Sequence, residues 1–211
     1  CRQGSLEMAA YCKERKLPLS QIGKILLPLN ANDAHQLDII EDRAPKNGVL
    51  VHRLDRKALS KKEPEARSAT GEALFVPGTS VGDSSAVINA IYKECLLAGI
   101  EVKCSSVISQ VDISKKKVQL SDGTQLIYGH LINASGLHAD SVAHQFSVGK
   151  KYTLLPFKGI YWKLSPDSGI RVNHLIYPVP DLRVPFLGVH TTTSIDGNVY
   201  LGPTAVPAFG R

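Results

Sequence analysis

One stretch constrains this chain more than any other: residues 125–140, QLIYGHLINASGLHAD. The apolar run 130–133 ends in the small-residue step Ala134-Ser135-Gly136, and a helix is predicted from about His138. Strand, tight turn and helix in that order let backbone approach a phosphate or ribose closely. Gly136 carries no Cβ, and the start of a helix offers free N–H groups. The same order is also a plain β-to-α turn in any α/β fold, so the motif defines a local shape before it defines a ligand.

The chain ahead of this stretch alternates helical and extended patterns. Residues 5–16 carry Leu6, Ala9, Ala10 and Lys13 at helical spacing behind a capping Ser5, and Pro18 stops the run. Residues 21–29 are β-rich up to Pro28, and a second helical pattern runs through Ala34, Leu37, Ile40 and Glu41 until Asn47-Gly48 breaks it. A strand is expected over 49–51, a short helix from near Asp55 that carries Leu59 and ends before Pro64, and a strand over 72–76. The longest helix is expected over 84–99, where Val87, Ile88, Ile91, Tyr92, Cys95 and Leu96 recur at three and four and Gly99 stands at the C-cap. A strand over 100–103 follows, then a meander over 107–113, 117–120 and 124–127, with Ser121-Asp122-Gly123 as the hairpin turn.

From Tyr152 onward the pattern changes. The runs 154–164, 172–177, 185–193 and 198–201 alternate or stay apolar, with turn residues between them and no helical spacing. They predict an antiparallel sheet of about four strands. The expected fold class is therefore α/β (α+β), mixed to about residue 150 and antiparallel β beyond it.

At 43% apolar content the chain can bury a substantial core, and no run approaches the length of a membrane-spanning helix. The net charge of +6 would suit nucleic acid, but the basic residues are scattered and short clusters such as Lys115-Lys116-Lys117 lie beside a turn. No nucleic-acid partner is expected, and the oligomeric state is left open. Cys1, Cys12, Cys95 and Cys104 have no metal-ligand spacing and no CxxC pair, so reduced thiols and no metal site are expected, in a cytoplasmic setting. The chain opens on Cys1-Arg2-Gln3-Gly4 without an initiator methionine and ends soon after a strand, which reads as a piece of a longer protein.

No P-loop, HExxH or nucleophile elbow is present. His190, in Leu187-Gly188-Val189-His190, lies on a predicted strand beside a glycine that would let a ligand ring come close. A histidine there suits oxidation of an alcohol, in which the hydroxyl proton must leave as hydride departs from carbon; a core or edge histidine gives the same pattern. Lys158, beside Gly159, and Arg183, beside a proline-rich turn, could bind a carboxylate or stand as surface cations, and Tyr177 could donate its hydroxyl or fill the sheet.

Three segments, Ile176-Tyr177-Pro178-Val179-Pro180-Asp181, Pro185-Phe186-Leu187-Gly188-Val189-His190 and Leu201-Gly202-Pro203-Thr204-Ala205-Val206, resemble the L-2-hydroxyglutarate dehydrogenases and oxidases in order and spacing. These are a branch of the D-amino-acid-oxidase-like flavoproteins. Phe157-Lys158-Gly159 is similar to that family's Phe-Arg-Gly, and the resemblance covers essentially the whole chain.

The resemblance implies an FAD enzyme of two interwoven domains, with an FAD-binding α/β part at 81–150 and a substrate domain from 1–80 and 151–211. It implies FAD contacts at Val107 and at Ala134, Ser135 and Gly136, a base at His190, and substrate contacts at Lys158, Tyr177 and Arg183. The substrate would be a 2-hydroxy dicarboxylate and the product 2-oxoglutarate, with peripheral contact to the inner membrane compatible with the family. Glycerol 3-phosphate or amino-acid oxidation is the nearest alternative, and a non-catalytic binding domain the next. The chain departs from the family in lacking the Gly-x-Gly-x-x-Gly unit and its ribose-binding acid, and in stopping before the segment that closes over the flavin, so this piece alone is expected to be inactive.

Overall fold

The computed structural model describes residues 1–208 and 210. In chain order the helices are α1 (Arg2–Glu14), α2 (Ala34–Lys46), α3 (Arg56–Lys62), α4 (Ser84–Leu97) and α5 (Ala139–Gln145). The strands are β1 (Leu19–Ser20), β2 (Lys24–Leu27), β3 (His52–Leu54), β4 (Ala73–Val76), β5 (Val81–Gly82), β6 (Ile108–Asp112), β7 (Lys117–Leu120) and β8 (Gln125–Ile127), then β9 (Phe157–Lys158), β10 (Trp162–Lys163), β11 (Leu175–Pro178), β12 (His190–Thr193), β13 (Val199–Gly202) and β14 (Val206–Pro207). The mixture of helix and sheet matches the expected class. No helix among the described residues is long and apolar enough to cross a membrane.

The chain divides into two compact units, the first formed by Cys1–Glu94 with Gly159–Ala205. Its centre is a seven-stranded sheet in the order β10-β13-β12-β11-β2-β4-β3, in which β11 and β2 run parallel and every other pair is antiparallel. Strand alternation sends successive side chains to opposite faces. Ile25 and Leu27 accordingly pack with Leu54, Leu59, Ala66 and Ala73 under α3, while Leu26 packs with Leu37, Leu74 and Val179 under α2. Asp55 starts α3 by accepting a hydrogen bond from the Ala58 N–H at 2.7 Å, which satisfies one of the donors that a helix start leaves unpaired.

Two polar devices fasten this unit. Arg53 on β3 reaches Asp38 (2.6 Å) and Glu41 (2.8 Å) of α2 and Glu72 (2.9 Å) ahead of β4, tying the helix to the sheet edge. Glu63 is fully buried behind α3. Its carboxylate accepts from the Asn173 N–H (2.9 Å), the His174 N–H (3.0 Å) and His174 Nδ1 (3.1 Å), anchoring the entry into β11.

The second unit, which includes Cys95–Lys158, holds the meander β6-β7-β8, the pair β14-β9 and α5. The expected C-cap of α4 is present, with Ile100 N–H donating to Cys95 O and Gly99 N–H to Leu96 O. Two expected strands are absent. Residues 100–103 and 130–133 belong to no strand, and Ile132 is 90% exposed. An apolar run becomes a strand only where a neighbour can satisfy its backbone N–H and C=O groups. The strand expected at 49–51 forms three residues later, at β3, where β4 offers that partner. α1 starts at Arg2, ahead of the Ser5 expected to cap it.

Glu63→Ala should lower the unfolding free energy by about 3 kcal/mol, because it strands buried donors, whereas Glu63→Gln, which keeps an acceptor oxygen, should cost clearly less; urea denaturation of both variants checks this. The hydrogen bonds from Arg53 hold the Glu72 carboxyl below its usual range. The stability this contributes is complete above the ordinary carboxylate pKa and is lost as pH falls through the depressed one. Acid unfolding of Arg53→Met should therefore begin from lower stability and show a shallower acid limb than the wild type.

Candidate functional site

The register of the first unit decides which side chains share a face. On β11 and β12, Ile176 stands opposite Thr191, which sets Tyr177 opposite His190. Their rings stack with centroids 3.9 Å apart and planes 18° from parallel. His190 is buried and Tyr177 half-buried.

The histidine's tautomer follows from its partner. His190 Nδ1 lies 2.8 Å from the Gly188 carbonyl oxygen, which can only accept, so Nδ1 carries a hydrogen and, in the neutral imidazole, the lone pair is on Nε2. Nε2 is thus the proton-accepting atom. The glycine's role differs from the expected one: a Cβ on Gly188 would stand 2.5 Å from Pro178 Cγ, so the close approach it permits is that of the neighbouring strand and not of a ligand ring.

Lys24, at the start of β2, extends its Nζ to 5.3 Å from the centre of the Tyr177 ring. β11 lies between β2 and β12, so Tyr177 stands between the lysine and the histidine. Burial alone pushes the Lys24 ammonium pKa down, with no charged group offsetting it. Nothing in the apolar run Lys24-Ile25-Leu26-Leu27 marked Lys24 as a site residue except a cation at its head. The arrangement offers a proton acceptor, an aromatic hydroxyl and an ammonium on one sheet face.

The other expected substrate contacts are Arg183 and Lys158. Arg183 grips Asp181 two residues away (Nη2 to Oδ2, 2.7 Å), is largely exposed, and holds the Asp181 carboxyl down to about 2. Lys158 lies on β9 of the second unit, exposed, with its backbone paired to Val206. The segment after it fits closely against β13: Gly159 and Gly202 would place a Cβ 2.8 Å from Pro203 Cβ and from Ile160 O respectively, and the Ile160 N–H donates to Thr204 Oγ1 (3.2 Å).

Also in the second unit, Val107 is exposed, and its carbonyl accepts from the Ser121 N–H at 2.8 Å. The turn Ala134-Ser135-Gly136 is tied down by Asn133, a residue the sequence reading passed over. Asn133 Oδ1 accepts from the Ser135 N–H (3.2 Å) and hydroxyl (2.8 Å), and its Nδ2 donates to Ala139 O (2.8 Å). Gly136 has φ +52° and opens a 3-10 turn, Gly136–His138, that leads into α5.

The sequence profile described as FAD dependent oxidoreductase matches residues 1–211. The chain belongs to this family. Over its whole length it is 32% identical to L-2-hydroxyglutarate dehydrogenase from Escherichia coli K12 and 28% identical to the mitochondrial enzyme of that name from Homo sapiens. It spans about half of those relatives, 50% and 48% respectively. Among solved structures, glycine oxidase from Bacillus cereus superposes with TM-score 0.79 at 16% identity, over 99% of this chain and 58% of that one. The FAD-bound L-alpha-glycerophosphate oxidase from Mycoplasma pneumoniae superposes with TM-score 0.73 at 17% identity, over 92% and 52%. At such identities the superpositions establish a shared fold.

The family's cofactor can be tested against this chain's own residues. No atom lies within 4 Å of the position a Cβ would take on Gly136, so the tethered turn leaves its backbone open to a group such as FAD lying against it.

Gly188→Ala should cost about 1–3 kcal/mol by forcing Pro178 and the start of β12 apart. It should also release His190 from its single tautomer, seen as movement of the imidazole nitrogen resonances away from the Nδ1–H pattern in nuclear magnetic resonance spectra.

Proposed function

We propose that this chain works within an FAD-dependent oxidoreductase that converts a 2-hydroxy acid, L-2-hydroxyglutarate, to 2-oxoglutarate, with His190 as the base. The observation that carries the reading is His190 itself, buried, stacked on Tyr177 and held with Nε2 free to accept a proton. Similarity over the whole chain to proteins named L-2-hydroxyglutarate dehydrogenase supports the choice of substrate.

Bound FAD supplies the two-electron acceptor for the hydrogen leaving the substrate's C2. His190 Nε2 takes the hydroxyl proton, and the electron pair left on oxygen forms the new carbonyl. The resulting imidazolium is favoured by the Gly188 carbonyl at Nδ1 and by the Tyr177 ring beneath it. The Tyr177 hydroxyl donates to substrate oxygen. Lys158 and Arg183 bind carboxylate in this reading, Arg183 by exchanging its contact with Asp181. Val107, Ala134, Ser135 and Gly136 hold the cofactor through their backbone groups.

In the full-length FAD-loaded enzyme that contains this chain, His190→Gln should lower kcat/KM for L-2-hydroxyglutarate by about 10²–10⁴-fold while the flavin absorbance band stays in place. Assaying glycerol 3-phosphate and glycine beside it separates this reading from the chemistries named by the structural relatives. Turnover of either in place of the hydroxy acid, or an unaffected His190→Gln variant, would sink it.

A further inference from the structure

Several of the chain's cations are neutralised by carboxylates among the described residues. Arg53 holds three of them, Lys46 pairs with Asp42 at 2.6 Å, Lys103 with Asp122 at 2.7 Å, and Arg183 with Asp181. Lys24 is different. It is half-buried on β2 in the central sheet, it has no acidic partner among the described residues, and its ammonium lies 5.3 Å from the centre of the Tyr177 ring. A partly desolvated ammonium without a counter-ion carries a free-energy cost that an anion brought to the same face would relieve.

We infer that Lys24 binds the far carboxylate of a dicarboxylate substrate and is what makes the site prefer dicarboxylates to monocarboxylates. This rests on the proposed function and extends it. Lys24 and His190 share the Tyr177 ring as a neighbour, the imidazole stacked on it at 3.9 Å and Nζ 5.3 Å from its centre. A carboxylate attached directly to the reacting carbon would have to lie beside His190. One several carbons away can cross the edge of the ring and meet Nζ while the hydroxyl stays at Nε2. The acceptor of the Lys24 charge is therefore the terminal group of a chain of about five carbons, held by a charge-assisted hydrogen bond.

The test uses the full-length FAD-loaded enzyme that contains this chain and two probes that cannot be oxidised at a hydroxyl, glutarate and butyrate, titrated by calorimetry into wild type, Lys24→Met and Lys24→Arg. Circular dichroism and the flavin band verify that each variant is folded. The wild type should bind glutarate more tightly than butyrate. Lys24→Met should shrink that preference by about 10- to 100-fold, the loss expected for one charge-assisted contact, and Lys24→Arg should recover most of it. An equal preference in wild type and Lys24→Met would overturn the inference, as would a wild type with no preference. L-2-hydroxyglutarate turnover, measured in parallel, reads the underlying function separately. Glutarate preference that depends on Lys24, without turnover, would leave the lysine's role standing and remove the activity. Turnover with a preference indifferent to Lys24 would do the reverse.

Discussion

The first unit depends on one parallel pairing. β2 and β11 meet in register from Lys24 with Leu175 to Leu27 with Pro178, and this ladder joins the N-terminal sheet strands β3 and β4 to the C-terminal strands β12, β13 and β10. Without it the seven-stranded sheet would fall into separate sheets of four and three strands. The pairing also separates the two apolar layers, since Ile25 and Ile176 face one layer and Leu26 and Tyr177 the other. It also brings the lysine of β2 to the tyrosine of β11.

The three segments that carry the family resemblance gain a physical explanation from this sheet. IYPVPD, PFLGVH and LGPTAV lead through β11, β12 and β13, which are neighbours in space in the same order as in sequence. Their prolines and glycines mark where these strands crowd one another: Pro178 against Gly188, Pro203 against Gly159, and Ile160 against Gly202. Such residue types are specific because a Cβ at any of those glycines would require backbone or ring atoms to move.

Local signals in the sequence were read well and non-local ones less so. The α4 periodicity, its Gly99 cap and the Ser121-Asp122-Gly123 turn each depend on neighbours within a few residues, and each stands as expected. Residues 100–103 and 130–133 had the composition of strands, but composition cannot say whether a partner strand lies alongside. Glu63, within the polar run Lys61-Lys62-Glu63-Pro64-Glu65, had every mark of a solvated side chain. Its burial is created by Asn173 and His174, more than a hundred positions away. At the candidate site, His190 and Tyr177 were singled out from the strands that bear them. Lys24 was not, because only the β2 to β11 register places it near Tyr177.

The same ladder has a consequence for how the protein is made. β2 leaves the ribosome roughly 150 residues before β11, so at typical elongation rates its apolar Ile25-Leu26-Leu27 edge waits on the order of 10–30 s for the strand that will cover it. During that interval β4 can protect one side of β2 only. A positive charge at the head of an open strand discourages pairing with a second chain, and Lys24 occupies that place. A neutral side chain at position 24 should therefore make synthesis of this protein more dependent on chaperones than its folded stability alone would suggest.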